Sequence, residues 1–411
     1  MSESEWRRVP TGFDADRQVT RGECKTVLAL VHTVTSGQRL LEAVRLLEND
    51  MRVQVVFTQA PDDHGNGVQD FLLGIGALQI SWEQATHLEF DLAVAASLGA
   101  IHRVRAPLIV MPHGVGHAKL VARGRGRAVG SRMVYGLDAQ RLLHDGALVP
   151  EAVVLPHQAE VGVLARSCPE ALPAAEVIGD PCYDRMVVSL DRRPLYQMAL
   201  GAGDGRKLVV VASTWGPHSL LGRRSDLWPR LLTELPDDEF QVVTLLHPNV
   251  WFGYGSWQVK TWLAGCLRRG LSLVPPEADW RGVLTAADIV IGDHGSTTVY
   301  GAAIGVPVLL GTFTSSEVHP RSPAARLGDL APRIGTRGSL RRQVSRTLAD
   351  FERGRYRAVA ERVTSEPGRF NRRMRRLMYR MLGLHQPATV PATLPVVPPF
   401  LIKEQGGHRE R

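Results

Sequence analysis

The chain of 411 residues is 44% hydrophobic, 22% charged and only 6% aromatic, with a formal net charge of +8. That length suits two or three domains with ordinary cores. The composition excludes a collagen-like chain, a disordered chain and a disulfide scaffold. Four scattered cysteines (Cys24, Cys168, Cys182, Cys266) form no Cys-x-x-Cys pair, which argues for a reducing compartment and against a thiolate zinc site. The opening MSESEWRRVP has no apolar segment, so no secretory signal is expected. The longest apolar runs, around Leu92–Ile101 and Gly301–Gly311, fall well short of the roughly 20 residues of a membrane-spanning helix. A soluble, cytoplasmic protein is the expectation.

Residues 1–24 read as a tail, and its carboxylate pair Asp14 and Asp16 as solvated. Short Val, Ile and Leu runs then alternate with helix-length segments, the rhythm of a parallel sheet covered on both faces. Strands are predicted at Lys25–Val34, Arg52–Thr58, Ala77–Trp82, Phe90–Ala96, Ala106–Pro112, Ala152–Pro156 and Glu176–Gly179. Gly37–Asn49 reads as a helix, with Leu40, Leu41, Val44 and Leu47 on one stripe. A second set of strands follows at Lys207–Ser213, Phe240–His247, Leu271–Val274, Asp288–Gly292 and Val306–Gly311. Two doubly wound, Rossmann-like α/β domains are therefore expected, at 25–190 and 207–332. The Gly- and Pro-bearing stretch 191–206 would link them.

A basic helical segment is expected at 333–383, then a Pro-rich disordered tail at 384–411. Arg333–Arg380 holds fifteen arginines and four acids, a surplus of eleven positive charges that leaves the rest of the chain at −3. Phe370, Met374, Leu377, Met378 and Met381 fall on one helical face flanked by arginines. That face either lies on an anionic membrane surface through 369–381 or packs as core. Nucleic acid is not the expected partner, because aromatic residues for base stacking are sparse there.

Ligands of open parallel sheets bind at the carboxyl ends of the strands, so polar strand ends mark candidate sites. Four stand out. In Asp288–Thr298 a buried strand runs into Asp293, His294, Gly295, Ser296 and Thr297, where a helix N-terminus could hold phosphate or Ser296 could simply cap. In Phe240–Asn249 the strand gives out at His247, before Pro248. In Pro107–Lys119, His113 stands beside Gly114, with His117 and Lys119 following. An imidazole has a pKa suited to general base work. In Val209–Ser219, Ser213 and Thr214 suit a phosphate or a sugar. No GxxxxGK[ST] loop or Gly-x-Ser-x-Gly elbow is present.

With these segments in order, the chain resembles two-domain nucleotide-sugar transferases of the GT-B type. Within them it is most similar to the CDP-glycerol glycerophosphotransferases of teichoic acid polymer synthesis. The matching residues are His113-Gly114 with Lys119, His247-Pro248, and the run Ala287-Asp288-Ile289-Val290-Ile291-Gly292-Asp293-His294-Gly295-Ser296. Ile178-Gly179-Asp180-Pro181 with Asp184 is similar to the end of the first domain in these enzymes and in sugar-nucleotide 2-epimerases. Two departures are evident: His294-Gly295 stands where the family has Tyr-Ser, and the Ser213-Thr214-Trp215-Gly216 loop lacks the family's Arg.

The resemblance implies two Rossmann-like domains facing across a cleft, with a CDP- or UDP-linked donor and a hydroxyl acceptor, lipid-linked in the teichoic acid pathway. The enzyme would then sit peripherally on the inner face of the membrane. His113 and His247 would be catalytic. Ser213, Thr214, His247, Asp293, His294, Gly295, Ser296 and Thr297 would hold nucleotide and phosphate, and Gly114, His117 and Lys119 would face the acceptor. No cofactor and no metal are expected. The alternative is a non-catalytic nucleotide-binding or scaffold protein of the same fold, to which the two departures lend support.

Overall fold

The computed structural model describes residues 20–22, 24–121, 132–203, 205–335 and 337–402. The expected N-terminal tail, with Asp14 and Asp16, lies almost wholly outside the described residues. The chain forms two compact units. Unit 1 runs to Asp184 and takes in Val363–Thr393, and unit 2 is Arg185–Arg362 with the chain from Leu394 onward.

Unit 1 is built on strands β1 (Lys25–Val31), β2 (Val53–Gln59), β3 (Gln79–Ile80), β4 (Leu92–Ala95) and β5 (Leu108–Val110). A small antiparallel hairpin, β6 (Leu143–His144) and β7 (Ala147–Leu148), precedes β8 (Ala152–Leu155) and β9 (Ala175–Val177). The main sheet is parallel, in the order β3-β2-β1-β4-β5-β8-β9. Unit 2 carries β10 (Lys207–Ser213), β11 (Phe240–Leu246), β12 (Ser272–Val274), β13 (Ile289–Gly292) and β14 (Val308–Leu310). These form a second parallel sheet, β12-β11-β10-β13-β14. In each sheet the first strand lies between neighbours reached in opposite directions, the doubly wound arrangement.

The strands are apolar on both faces because helices cover both. Val27–Val31 and Leu208–Ala212 are all 0% exposed. Unit 1 packs Leu28, Leu30, Val56, Ala93, Val110 and Val153 into one cluster; unit 2 packs Val209, Val211, Leu246, Ile289 and Ile291 around Trp228. Trp228 donates its indole N–H to Thr244 Oγ1 at 2.8 Å, so this buried ring leaves no donor unpaired.

Two expectations change. The stretch 191–206 contains a helix, Arg193–Ala199, that belongs to unit 2. Arg193 pairs with Asp288 at 2.9 Å and Gln197 donates to the Ala286 carbonyl at 3.1 Å, so it is packed structure rather than a free linker. The Pro-rich end is extended but docked through residue 402. The Val396 amide donates to Ser189 Oγ at 3.0 Å, its carbonyl accepts from Tyr196 at 2.8 Å, and the Ile402 amide donates to Leu273 O at 3.0 Å. Residues 403–411 of the expected tail lie outside the described residues.

Of the two readings open for the helix Phe370–Met381, the structure supports the packed one: its apolar face is core of unit 1. Phe370, Met374 and Met378 are 0% exposed and Leu377 2%. Three of its five arginines are engaged as well: Arg375 is buried beside the Tyr379 ring, Arg373 reaches the Val177 carbonyl and Glu366, and Arg380 pairs with Glu176. No helix among the described residues is long and apolar enough to cross a membrane.

Asp184 fastens this helix. Its two carboxylate oxygens accept from the Gly368 amide at 2.6 Å and the Phe370 amide at 3.2 Å. Burial pushes its pKa up to about 6, with Asp180 adding repulsion and the two amides pulling the other way. The native carboxyl therefore keeps a proton that the unfolded chain releases near pH 4. Stability should fall as pH rises from about 4 to about 6, by up to about 3 kcal/mol. In Asp184→Asn that slope should vanish, and denaturant unfolding across this window in both proteins checks it.

Candidate functional site

In unit 1 the winding reverses between β1 and β4, and the side chains beyond those strands define the candidate site. His32 follows β1, is 0% exposed, and places Nε2 2.8 Å from the Gly99 carbonyl. A carbonyl only accepts, so Nε2 carries the proton and Nδ1 is the lone-pair nitrogen. Burial lowers the His32 pKa and keeps the ring neutral, against the pull of that carbonyl. His113 follows β5 and donates from Nδ1 to the Ala96 carbonyl at 3.0 Å. Its basic nitrogen is therefore Nε2, on a residue that keeps an exposed face. Crowding by the surrounding protein holds its pKa below the ordinary imidazole value, with Arg39, Lys119 and His117 adding to the effect.

His117 is held differently. Its Nδ1 donates to Glu160 Oε2 at 2.7 Å and its amide donates to Oε1 at 3.1 Å. A side chain at Gly116, where φ is 62°, would run into that same carboxylate, so the loop needs glycine there for two reasons. Beneath the loop lies Arg39 of the helix Val34–Val44. It donates to the Gly114 carbonyl at 2.8 Å and pairs with Asp180 at 3.4 Å, both side chains being almost fully buried. Asp180 also accepts from the Tyr183 amide at 2.8 Å. Arg39 thus ties the His113-Gly114 turn to the Gly179-Asp180-Pro181 turn. Lys119 is exposed.

In unit 2 the reversal falls at β10, between β11 and β13. Asp293, at the end of β13, is 0% exposed, and its oxygens accept from the amides of Thr214 (3.0 Å), Leu220 (2.8 Å) and Gly295 (2.9 Å). Burial pushes its pKa up while the three amides and the neighbouring His294 oppose that shift. Ser213 is also committed: its hydroxyl donates to the Thr214 carbonyl at 2.9 Å and accepts from the Leu221 amide at 3.0 Å. The structure therefore uses Asp293 and Ser213 to build the loop after β10.

His247 caps the helix Pro248–Tyr254, its Nδ1 accepting from the Asn249 amide at 3.1 Å. The proton of the neutral ring accordingly sits on Nε2. Its own amide reaches the Ser213 carbonyl at 3.0 Å, and its ring lies 6.3 Å from that of Trp215. The helix Ser296–Ala303 has Gly295 at its N-cap, and no side chain caps it. A Cβ on Gly295 would meet both Asp293 Oδ1 and Thr214 Cβ at 2.9 Å, so the branched Thr214 fills the space that a serine would need. His294 sets its ring edge-on to Phe313, centroids 6.3 Å apart. Ser296 and Thr297 are half-buried in the first turn.

Unit 2 thus brings Ser213, Thr214, His247, Asp293, His294, Gly295, Ser296 and Thr297 to adjoining strand ends, and unit 1 does the same for His113, Gly114, His117 and Lys119. Sequence reasoning missed His32, Arg39 and Glu160. His32 was hidden because the apolar run carries past it to Val34, which drew the strand three residues too long. Arg39 lies in the middle of one helix and Glu160 in the first turn of another, each with partners remote in sequence.

No family model matches the sequence, and no curated protein matches it either. Solved structures do match in fold. A variant of the wall teichoic acid polymerase TagF soaked with CDPG aligns at a TM-score of 0.59 and 12% identity, over 87% of this chain and 88% of that one. S. aureus MnaA in complex with UDP aligns at 0.57 and 12%, over 90% and 99%. UDP-GlcNAc 2-epimerase from Neisseria meningitidis, bound to UDP-GlcNAc, aligns at 0.50 and 13%, over 87% and 99%. At such identities the likeness establishes the fold, two doubly wound units of the GT-B type.

The buried Arg39–Asp180 pair carries a stability prediction. Arg39→Met should cost about 3–5 kcal/mol, because it leaves Asp180 buried without its cation. Adding Asp180→Asn should recover part of that loss. A double-mutant cycle by denaturant unfolding measures the coupling, and additive losses would show that the pair is not one interaction.

Proposed function

We propose that the protein is a transferase that uses a nucleotide-activated donor and moves glycerol phosphate or a sugar onto an acceptor hydroxyl. The observation that carries this reading is the set of donors at the strand ends of unit 2. A helix N-terminus free of any side-chain cap stands beside the hydroxyls of Thr214, Ser296 and Thr297 and a histidine whose proton is fixed on Nε2. Helix N–H groups and an imidazole N–H are suited to donor phosphates. CDPG, UDP and UDP-GlcNAc in the solved structures of the same fold support a nucleotide as the ligand.

In this reading Asp293 and Ser213 hold the loop that presents Thr214, and do not touch phosphate themselves. His113 takes the acceptor proton on Nε2, its Nδ1 proton being anchored at Ala96. If the donor is CDP-glycerol, the acceptor oxygen attacks phosphorus and CMP leaves with the bonding electron pair. If it is a nucleotide sugar, attack is at the anomeric carbon and a nucleoside diphosphate leaves. The helix N–H groups and His247 stabilise the charge that develops on the leaving group. His117, backed by Glu160, and Lys119 lie on the acceptor side.

Calorimetry with CDP and UDP tests the donor site. His247→Ala and Ser296→Ala should each weaken binding by roughly 1–3 kcal/mol. Unchanged affinity in both would place the phosphates elsewhere. His113→Ala should bind nucleotide normally yet lose at least ~100-fold in turnover. Because its pKa is held low, kcat/KM in the wild type should fall only as pH drops below about 6.5, where the base becomes protonated. Nucleotide binding with no release of CMP or nucleoside diphosphate across CDP- and UDP-linked donors would instead identify the non-catalytic binding protein.

A further inference from the structure

Two helices follow β11, Pro248–Tyr254 and Ser256–Leu267, with Gly255 between them at a φ of 82°. The second buries Val259, Leu263 and Cys266 against the core of unit 2. Away from that stripe its surface is unusual. Trp257 is 74% exposed, Tyr254 63% and Trp262 48%. The turn at Gly255 brings the Tyr254 and Trp262 rings edge to face, 4.8 Å between centroids. Tryptophan is on average one of the more buried residues, so two exposed on one short helix need a reason.

Charge supplies one. Between Pro248 and Gly270 the chain carries Lys260, Arg268 and Arg269 and no acid. All three cations are exposed, Arg269 also reaching Thr233 Oγ1 at 2.9 Å. Indole and phenol rings combine an apolar body with a polar edge, the chemistry that settles at the level of lipid headgroups, and exposed cations beside them favour anionic lipid. We propose that this face docks unit 2 on an anionic lipid bilayer, with Tyr254, Trp257 and Trp262 entering the headgroup region while Lys260, Arg268 and Arg269 meet lipid phosphates. A second copy of the chain is a poorer occupant. A two-fold interface sets the same patch against itself, which would bring cation against cation with no acid between. The inference does not depend on the transferase reading.

The test is sedimentation of the full chain with vesicles of phosphatidylcholine containing about a quarter phosphatidylglycerol, against phosphatidylcholine alone, with tryptophan fluorescence recorded in parallel. The protein should sediment with the anionic vesicles only, its emission should shift to shorter wavelength, and about 0.5 M salt should weaken binding. Trp257→Ser with Trp262→Ser, and separately Lys260→Glu with Arg268→Glu, should each reduce partitioning at least ~10-fold with an unchanged melting temperature. Arg372→Ser with Arg376→Ser, on the exposed side of the C-terminal helix, should leave it intact. Failure to bind anionic vesicles would overturn the proposal, as would wild-type partitioning in both patch variants. Self-association abolished by the tryptophan substitutions, without vesicle binding, would assign the face to a second copy.

Discussion

Asp293 has no exposed surface, and its two oxygens collect three backbone amides from two different loops. A buried carboxylate in that position is costly unless each lone pair it turns inward finds a donor. The amides of Thr214, Leu220 and Gly295 therefore have to stay where they are, and with them the loop after β10 and the entry to the helix Ser296–Ala303. The remaining features of the unit 2 site follow from that constraint. Thr214 is held against Gly295, Ser213 turns inward to the Leu221 amide, and no side chain remains to cap the helix.

Unit 1 meets the same requirement with other residues. Two of its buried carboxylates are Asp180, with Arg39 as counter-ion, and Asp184, which accepts from the Gly368 and Phe370 amides. The first fixes the His113-Gly114 turn from below; the second fastens the returning C-terminal helix. A pair as deeply buried as Arg39–Asp180 adds little net stability over an apolar pair, but losing one member is expensive. Its value lies in position: the guanidinium can satisfy a carboxylate and a carbonyl from two loops at once. The departure of His294-Gly295 from Tyr-Ser has a local account in this light, since Thr214 occupies the space beside Gly295.

The surplus of arginine near the C-terminus has a structural use within unit 1. The helix Phe370–Met381 turns its apolar stripe into the core, and its arginines reach Glu176, Glu366 and the Val177 carbonyl. Charge and period admitted either a lipid surface or a packed helix there, and burial of the stripe leaves that helix no apolar face to offer. Exposed aromatics occur instead on Ser256–Leu267, a segment of modest charge.

Strand positions, the parallel doubly wound class and the polar strand ends were legible because buried parallel strands must be apolar on both faces, and a run of Val, Ile and Leu shows that without reference to any partner. His113, His247 and the Asp293–Thr297 turn were found for the same reason: each is where an apolar run stops. His32 was missed because its run does not stop, and Glu160 and Arg39 because nothing local marks a residue whose partner is 43 or 141 positions away. The docked Pro-rich end was read as disordered, since proline content reports a lack of helix and says nothing of the hydrogen bonds that Val396 makes. Sequence by itself determined where the strands of the two parallel sheets fall, to within a few residues at their ends, and that two doubly wound domains result, all of it set by local composition and period. Only the tertiary structure decided which polar residues at those ends support loops and which face outward, because that depends on long-range hydrogen bonds between groups that composition and period do not relate.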